Sequence, residues 1–270
     1  MTRVHNRRAF ALALFGVITM GEAVRADTVQ LYAAGSLRAA LTEVGRSFES
    51  ETAISVKAKF GPSGVLKDEI LNGAKADVFA SANLEHPRAL SAANKSGPVR
   101  LFARNRLCAL VKPELKVDSE SLLERMLDPS VKLAISTPKA DPSGDYAFEV
   151  FRKADAVKPG SRAILEAKAL QLTGSPSSTQ PPTGRAVYGW YVAEGRADIF
   201  LAYCTAVREA LAQNPGQQSV ALPDALAVGA DYGLTVISGA DFPPQKFADY
   251  IMSPEGQKIL LSHGFAPGEN

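Results

Sequence analysis

An α/β protein with a mostly parallel sheet flanked by helices is what this chain of 270 residues predicts. Strand-like and helix-like patterns alternate almost from end to end, which calls for strands covered by crossover helices. Several strand-to-helix junctions are Gly-Ser or Ser-Gly turns. Sheets of this kind place their ligands at the carboxyl ends of strands, where helix N-termini gather.

The elements follow in order. TVQLYAAG is a strand, and in the helix after it Leu37, Ala40, Leu41, Val44 and Phe48 share one face. ISVKAKF alternates, with Ile54, Val56, Ala58 and Phe60 on one side. Leu66, Ile70 and Leu71 then begin a helix that Gly73 can end. ADVFASA reads as a short buried strand and Pro87 to Ala93 as a helix. RLCALVKP and KLAISTP are further strands, separated by the helical SESLLERML. The helix after DPSGD carries Tyr146, Ala147, Val150, Phe151 and Ala154 on one face. TGSPSSTQPPTG (173–184) is a loop on its Ser, Pro and Gly content. A helix over 185–194, the strand ADIFLAY, the strand YGLTVIS and two closing helices complete the chain. The last helix opens on Ser253-Pro254-Glu255, a good cap and first turn. There is no internal repeat and no heptad pattern.

The first 26 residues stand apart. MTRVHNRR is basic, AFALALFGVITMG is apolar, and VRA has the small residues a signal peptidase reads, so cleavage after Ala26 is expected. The apolar run falls short of the ~20 residues that span a bilayer. The expected location is therefore the periplasm. The leader would take Arg3, Arg7, Arg8 and Arg25 with it against Glu22 alone, so the 30 basic and 28 acidic residues become an excess of one acidic. A nucleic-acid partner has no footprint in that balance. Two cysteines (Cys108 and Cys204) and three scattered histidines (His5, His86 and His263) argue against a zinc site. In an exported chain the two cysteines are candidates for a disulfide, with two buried thiols as the alternative.

What the Ser-Gly turns do is the functional question. A helix N-terminus presents unpaired N–H groups and a partial positive charge. Ser36 after Gly35, Ser63 before Gly64, Ser143 before Gly144, and Thr183-Gly184-Arg185 are four such starts, and together they would make a donor-rich cradle for an anion. Each serine could equally be an ordinary N-cap, worth ~1 kcal/mol to its helix.

The joint pattern LYAAGSLRAAL…FGPSGVLKDEILNGAKADVFASA resembles the periplasmic molybdate/tungstate-binding proteins of ABC importers. The resemblance continues through GRADIFLAYCTA and YIMSPEGQKILLSHGF and covers nearly all of the chain beyond the leader. It implies the two-lobed class II periplasmic-binding-protein fold, with a ligand cleft between the lobes. Residues 27–103 and 231–270 would form a discontinuous first lobe and 104–230 the second. It implies a monomer without cofactor or catalytic residues that delivers molybdate or tungstate to a membrane permease. Ser36 and Ser63 match the serines that bind oxyanion oxygens through hydroxyl and backbone N–H, and Tyr203 matches a tyrosine donating from the other lobe. Ser143 falls where the family uses a backbone N–H. Arg185 falls where the family has a valine, unless a one-residue shift puts Gly184 there. A guanidinium in the cleft would broaden the site toward sulfate, phosphonates or organic acids. A solvent-facing Arg185 would leave it neutral. The 173–184 loop is longer than the family norm, which suits a cover for the cleft. The alternative from another class is a secreted hydrolase with Ser36 or Ser63 as nucleophile. Such an enzyme needs a nearby base, and the chain has no G-x-S-x-G elbow.

Overall fold

The computed structural model describes residues 1–2, 27–239 and 242–268. The expected leader lies outside them, apart from its first two residues.

Two sheets share one strand. The chain runs β1 (Thr28–Ala34), α1 (Arg38–Thr52), β2 (Ser55–Gly61), α2 (Ser63–Leu71), β3 (Val78–Ser81), α3 (Glu85–Ala92) and β4 (Arg100–Val111). It continues through α4 (Leu122–Leu127), β5 (Leu133–Ser136), α5 (Pro142–Val157), α6 (Ser161–Lys168), β6 (Leu170–Thr173), α7 (Val187–Ala193), β7 (Ile199–Tyr203), α8 (Cys204–Gln213) and β8 (Gln218–Ala221). It returns through β9 (Gly229–Val236) and ends in α9 (Phe242–Met252), α10 (Pro254–Ser262) and β10 (Ala266–Pro267).

The first sheet has the order β2-β1-β3-β9-β4, with β10 on the far side of β4. The second has the order β6-β5-β7-β4-β8. The two orders are the same: second strand, first, third, a crossing strand, fourth. In each sheet the crossing strand runs antiparallel to its neighbours, β9 between β3 and β4, and β4 between β7 and β8. The predicted mostly parallel sheets are therefore present, each interrupted by the strand that arrives from the other lobe. Residues 100–106 of β4 pair with β9 in the first sheet and residues 107–111 pair with β7 in the second. Dividing the lobes at that handover, close to Arg106, and again where β9 begins at Gly229 is the boundary we propose.

Local chemistry explains the elements. In α1 the stripe Ala40, Leu41, Val44 and Phe48 is buried as its spacing predicts, and Ala53 closes the helix in a left-handed conformation. β5 and β7 are buried along their whole length, which is why they read as apolar runs rather than alternating ones. The Ser253 hydroxyl caps α10 by accepting from the Gly256 N–H at 3.3 Å. The expected helix over 185–194 starts two residues late, because the Arg185 N–H is held in a turn by the Pro182 carbonyl at 3.1 Å.

Cys108 and Cys204 form a disulfide with Cα atoms 4.9 Å apart. Cys108 lies on β4. Cys204 is the first residue of α8, one place beyond the strand on which the sequence pattern puts it. The bridge fixes the end of β7, and so Tyr203, to the crossing strand β4.

Candidate ligand-binding site

A cavity of about 570 Å³ lies where the two sheets present their carboxyl ends to each other. Ser36, Ser63, Tyr203 and Arg185 all line it, although their elements belong to different lobes. Ser143 does not reach it.

Ser36 sits in a short 3-10 turn, Gly35–Leu37, that follows β1 directly. Its hydroxyl meets the Tyr232 hydroxyl at 3.0 Å. The Asn105 amide donates to that Tyr232 oxygen at 3.3 Å and to Thr205 Oγ1 at 2.8 Å. Either hydroxyl can donate in that contact; with Asn105 donating to Tyr232, a Tyr232 hydrogen given to Ser36 Oγ leaves the Ser36 hydrogen for the cavity. Asn105 and Tyr232 lie on the two crossing strands, so the strands that join the lobes also orient Ser36.

Ser63 is the first residue of α2 and is buried. Its Oγ accepts the Ala82 N–H at 3.1 Å, which leaves the hydroxyl hydrogen free to donate. No side chain caps this end of α2. The next N–H, that of Gly64, donates across the cleft to the Ala140 carbonyl at 2.9 Å. A Cβ on Gly64 would stand 2.2 Å from the Lys139 carbonyl, so only glycine permits this approach.

Tyr203 ends β7, and its buried hydroxyl has no hydrogen-bond partner among the described residues. Burial, with Tyr232 and Asp141 nearby, holds the phenol well above its usual range. It is therefore a donor at any ordinary pH. A buried donor without a partner, beside two serine hydroxyls with hydrogens to give, is what an anion site requires.

Arg185 stands at the rim. Its guanidinium donates to Asn214 Oδ1 at 3.1 Å and is exposed. Its backbone N–H is already taken by Pro182, as is the next one, which Gln213 Oε1 accepts at 2.8 Å. Arg38, stacked on the Phe60 ring at 4.8 Å, is a second cation on the lining, from the other lobe. The 173–184 loop forms one wall from Thr173 through Gly184, with Gly174 in a left-handed conformation where it turns into the cleft.

The Ser143 N–H donates at 3.0 Å to the carboxylate of Asp141, the cap of α5, and its hydroxyl is buried near the Tyr188 phenol. Asp141 itself lines the cavity. Burial raises its carboxyl from 3.8 to about 6, opposed by the Ser143 N–H and the Ser136 hydroxyl. Tyr188, buried near it on α7, also faces the cavity. Sequence reasoning missed Asp141, Tyr188, Tyr232 and Asn105. Only Asp141 left a signal, as the residue before Pro142 at a helix start.

Among the described residues no histidine or cysteine lines the cavity. His263 pairs with Glu43 at 2.7 Å and His86 is enclosed against α2, so neither serves as a base for Ser36 or Ser63. Among the described residues no cluster of ligating side chains could hold a metal ion, and no helix is long and apolar enough to cross a membrane.

Comparison with known proteins bears on the family and the fold. An uncharacterised protein of Pasteurella multocida is 33% identical over 244 residues, covering 90% of this chain and all of that one. A molybdate-binding protein of Rhodobacter capsulatus is 26% identical, covering 96% of each chain. Among solved structures, a sulfate-binding protein of Mycobacterium tuberculosis superposes with a TM-score of 0.72 at 14% identity, covering 90% of this chain and 88% of that one. The model of the family described as bacterial extracellular solute-binding protein matches residues 29–266. The resemblance seen in the sequence is borne out, and the chain belongs to the bacterial extracellular solute-binding proteins.

Proposed function

We propose that this protein captures a tetrahedral oxyanion outside the cytoplasm and delivers it to the permease of an ABC importer. The observation that carries this reading is the convergence of Ser36 and Ser63 from one lobe with the unpartnered Tyr203 hydroxyl from the other. Three neutral O–H donors and a helix N-terminus that no side chain caps match an anion. Closure of the lobes brings the donors together, so affinity depends on both. Molybdate and tungstate are the first candidates, because a relative of nearly equal length is a molybdate-binding protein. A second reading is the same fold holding sulfate, a phosphonate or an organic acid, and the carboxylate of Asp141 in the cavity favours those among them that carry an O–H donor. The leader-like first 26 residues support export to the periplasm.

A thermal-shift screen of purified, dialysed protein against oxyanions and organic acids tests this reading. It predicts a rise in unfolding temperature with at least one tetrahedral oxyanion. No shift with any anion of the panel would sink it.

A further inference from the structure

Asp141 stands out in a cavity otherwise suited to anions. Its carboxylate offers about four acceptor positions. One oxygen receives the Ser143 N–H, and the Ser136 hydroxyl lies beside the group. Asp141 lines the same cavity as Ser63 and Tyr203. Among the described residues the charge acting on it is that of Asp145, which has the same sign. Its place is fixed by close packing against Gly174 of the loop wall, where an added Cβ would come within 2.6 Å of the Asp141 Cβ. An acceptor held rigidly in a cavity of donors repels an oxygen that brings only lone pairs and welcomes one that brings a proton.

We propose that Asp141 makes this cleft select anions that carry an O–H donor over anions that present acceptors alone. The inference rests on the anion cradle of Ser36, Ser63 and Tyr203 and adds a specificity-determining residue to it. The O–H can be a proton retained on the oxyanion, as in hydrogen phosphate, or a hydroxyl on an organic body attached to it. The cavity has room for such a body: at ~30 Å³ for each water it is many times larger than a single small molecule. The loop wall supplies Ser175, Ser178, Thr179 and Gln180 to receive it.

Calorimetric titration at pH 8 of wild type and Asp141→Asn with sulfate, molybdate, inorganic phosphate and glycerol 3-phosphate tests the proposal. Asparagine caps a helix as well as aspartate does, so the variant keeps the start of α5. Wild type should bind phosphate or glycerol 3-phosphate at least tenfold more tightly than sulfate, and whichever binds more tightly identifies the source of the proton. Asp141→Asn should lose tenfold or more for that ligand and gain tenfold or more for sulfate and molybdate. A change of equal size and sign for all four, or none, would overturn the role of Asp141 while leaving the anion cradle standing. Wild type that binds none of the four would take both readings down.

A second arm needs no variant. Sulfate does not titrate between pH 8 and 5, so any change in its affinity belongs to the protein. Tyr188 and Tyr203 keep their protons over that range, Asp145 is the carboxylate acting on the group, and Arg38, Arg185 and Glu209 are the other charged residues on the lining. Sulfate should bind several-fold more tightly at pH 5 than at pH 8 in wild type and not in Asp141→Asn. An equal change in both proteins would contradict the proposal.

Discussion

The tripeptide Pro-Ser-Gly opens a helix twice in this chain, at 62–64 and at 142–144, and the two copies do opposite things. Gly61 precedes the first and has no side chain to offer, so the start of α2 remains uncapped and Ser63 faces the cavity. Asp141 precedes the second and takes the Ser143 N–H, so that start is closed and Ser143 is buried behind it. The glycines differ in the same way. A Cβ on Gly144 would meet the Ser136 carbonyl of its own lobe at 2.4 Å, whereas one on Gly64 would meet the Lys139 carbonyl of the other. One residue before the proline thus decides whether a helix N-terminus is a site or a cap.

The largest expected effect breaks the second copy. Gly144→Ala forces a methyl into a backbone carbonyl inside one lobe, and a loss of about 3 kcal/mol or more in denaturant unfolding is expected. Gly64→Ala should leave the unfolding midpoint within ~1 kcal/mol of wild type, because the lobes can part to accept the methyl. Its ligand affinity should fall at least tenfold, about 1.4 kcal/mol. Equal destabilisation by both substitutions would remove the contrast.

Removing the disulfide sharpens the comparison from another side. Cys108 and Cys204 are separated by 96 residues. Replacing both with serine should cost about 2–4 kcal/mol of stability and loosen Tyr203. Unfolding curves that coincide with and without reductant would contradict this.

Much of the fold was legible because the informative segments bury an uninterrupted face. β1, α1, β5 and β7 declare themselves through Val29 and Leu31, the Leu41–Val44–Phe48 stripe, Ile135 and Phe200. The elements not foreseen bury little: α6 covers only Ser161 and Leu165, and β8 covers only Val220, so neither has a periodic signal to read. At the site, Ser36, Ser63 and Tyr203 were legible through their turns and the family pattern. Asp141 was not, since a carboxylate before a proline looks like a cap wherever it occurs. Only the meeting of α5 with the 173–184 loop turns it toward the cavity.

The serines themselves give a smaller contrast. Ser63→Ala removes a hydrogen bond to a charged group, worth ~1.5–3 kcal/mol of binding. Ser143→Ala deletes a hydroxyl buried behind the Asp141 cap and off the cavity lining, and affinity should stay near wild type. A loss of affinity in Ser143→Ala that matches Ser63→Ala would place both copies in the site.

The smallest effects are in pH. Asp141 is raised from 3.8 to about 6 in the folded protein, so folding binds its proton and stability falls as pH rises through that window. Asp141→Asn removes the cost, and its gain in unfolding temperature over wild type should be present at pH 8 and fade by pH 4. His86 is lowered from 6.5 to about 4, chiefly by burial, so its contribution is lost as pH falls through that interval. His86→Gln should flatten the acid limb. Thermal melts from pH 8 to 4 that keep the same spacing among the three proteins would contradict both assignments.

The central claim is that donors from both lobes hold one anion, and Tyr203→Phe tests it most directly because it deletes a single oxygen from a buried ring. Calorimetry with the anion that most stabilises wild type should show affinity reduced about tenfold or more, with the unfolding temperature of the ligand-free protein preserved or raised. Wild-type affinity in Tyr203→Phe would show that the second lobe contributes no donor, and the cradle described here would be wrong.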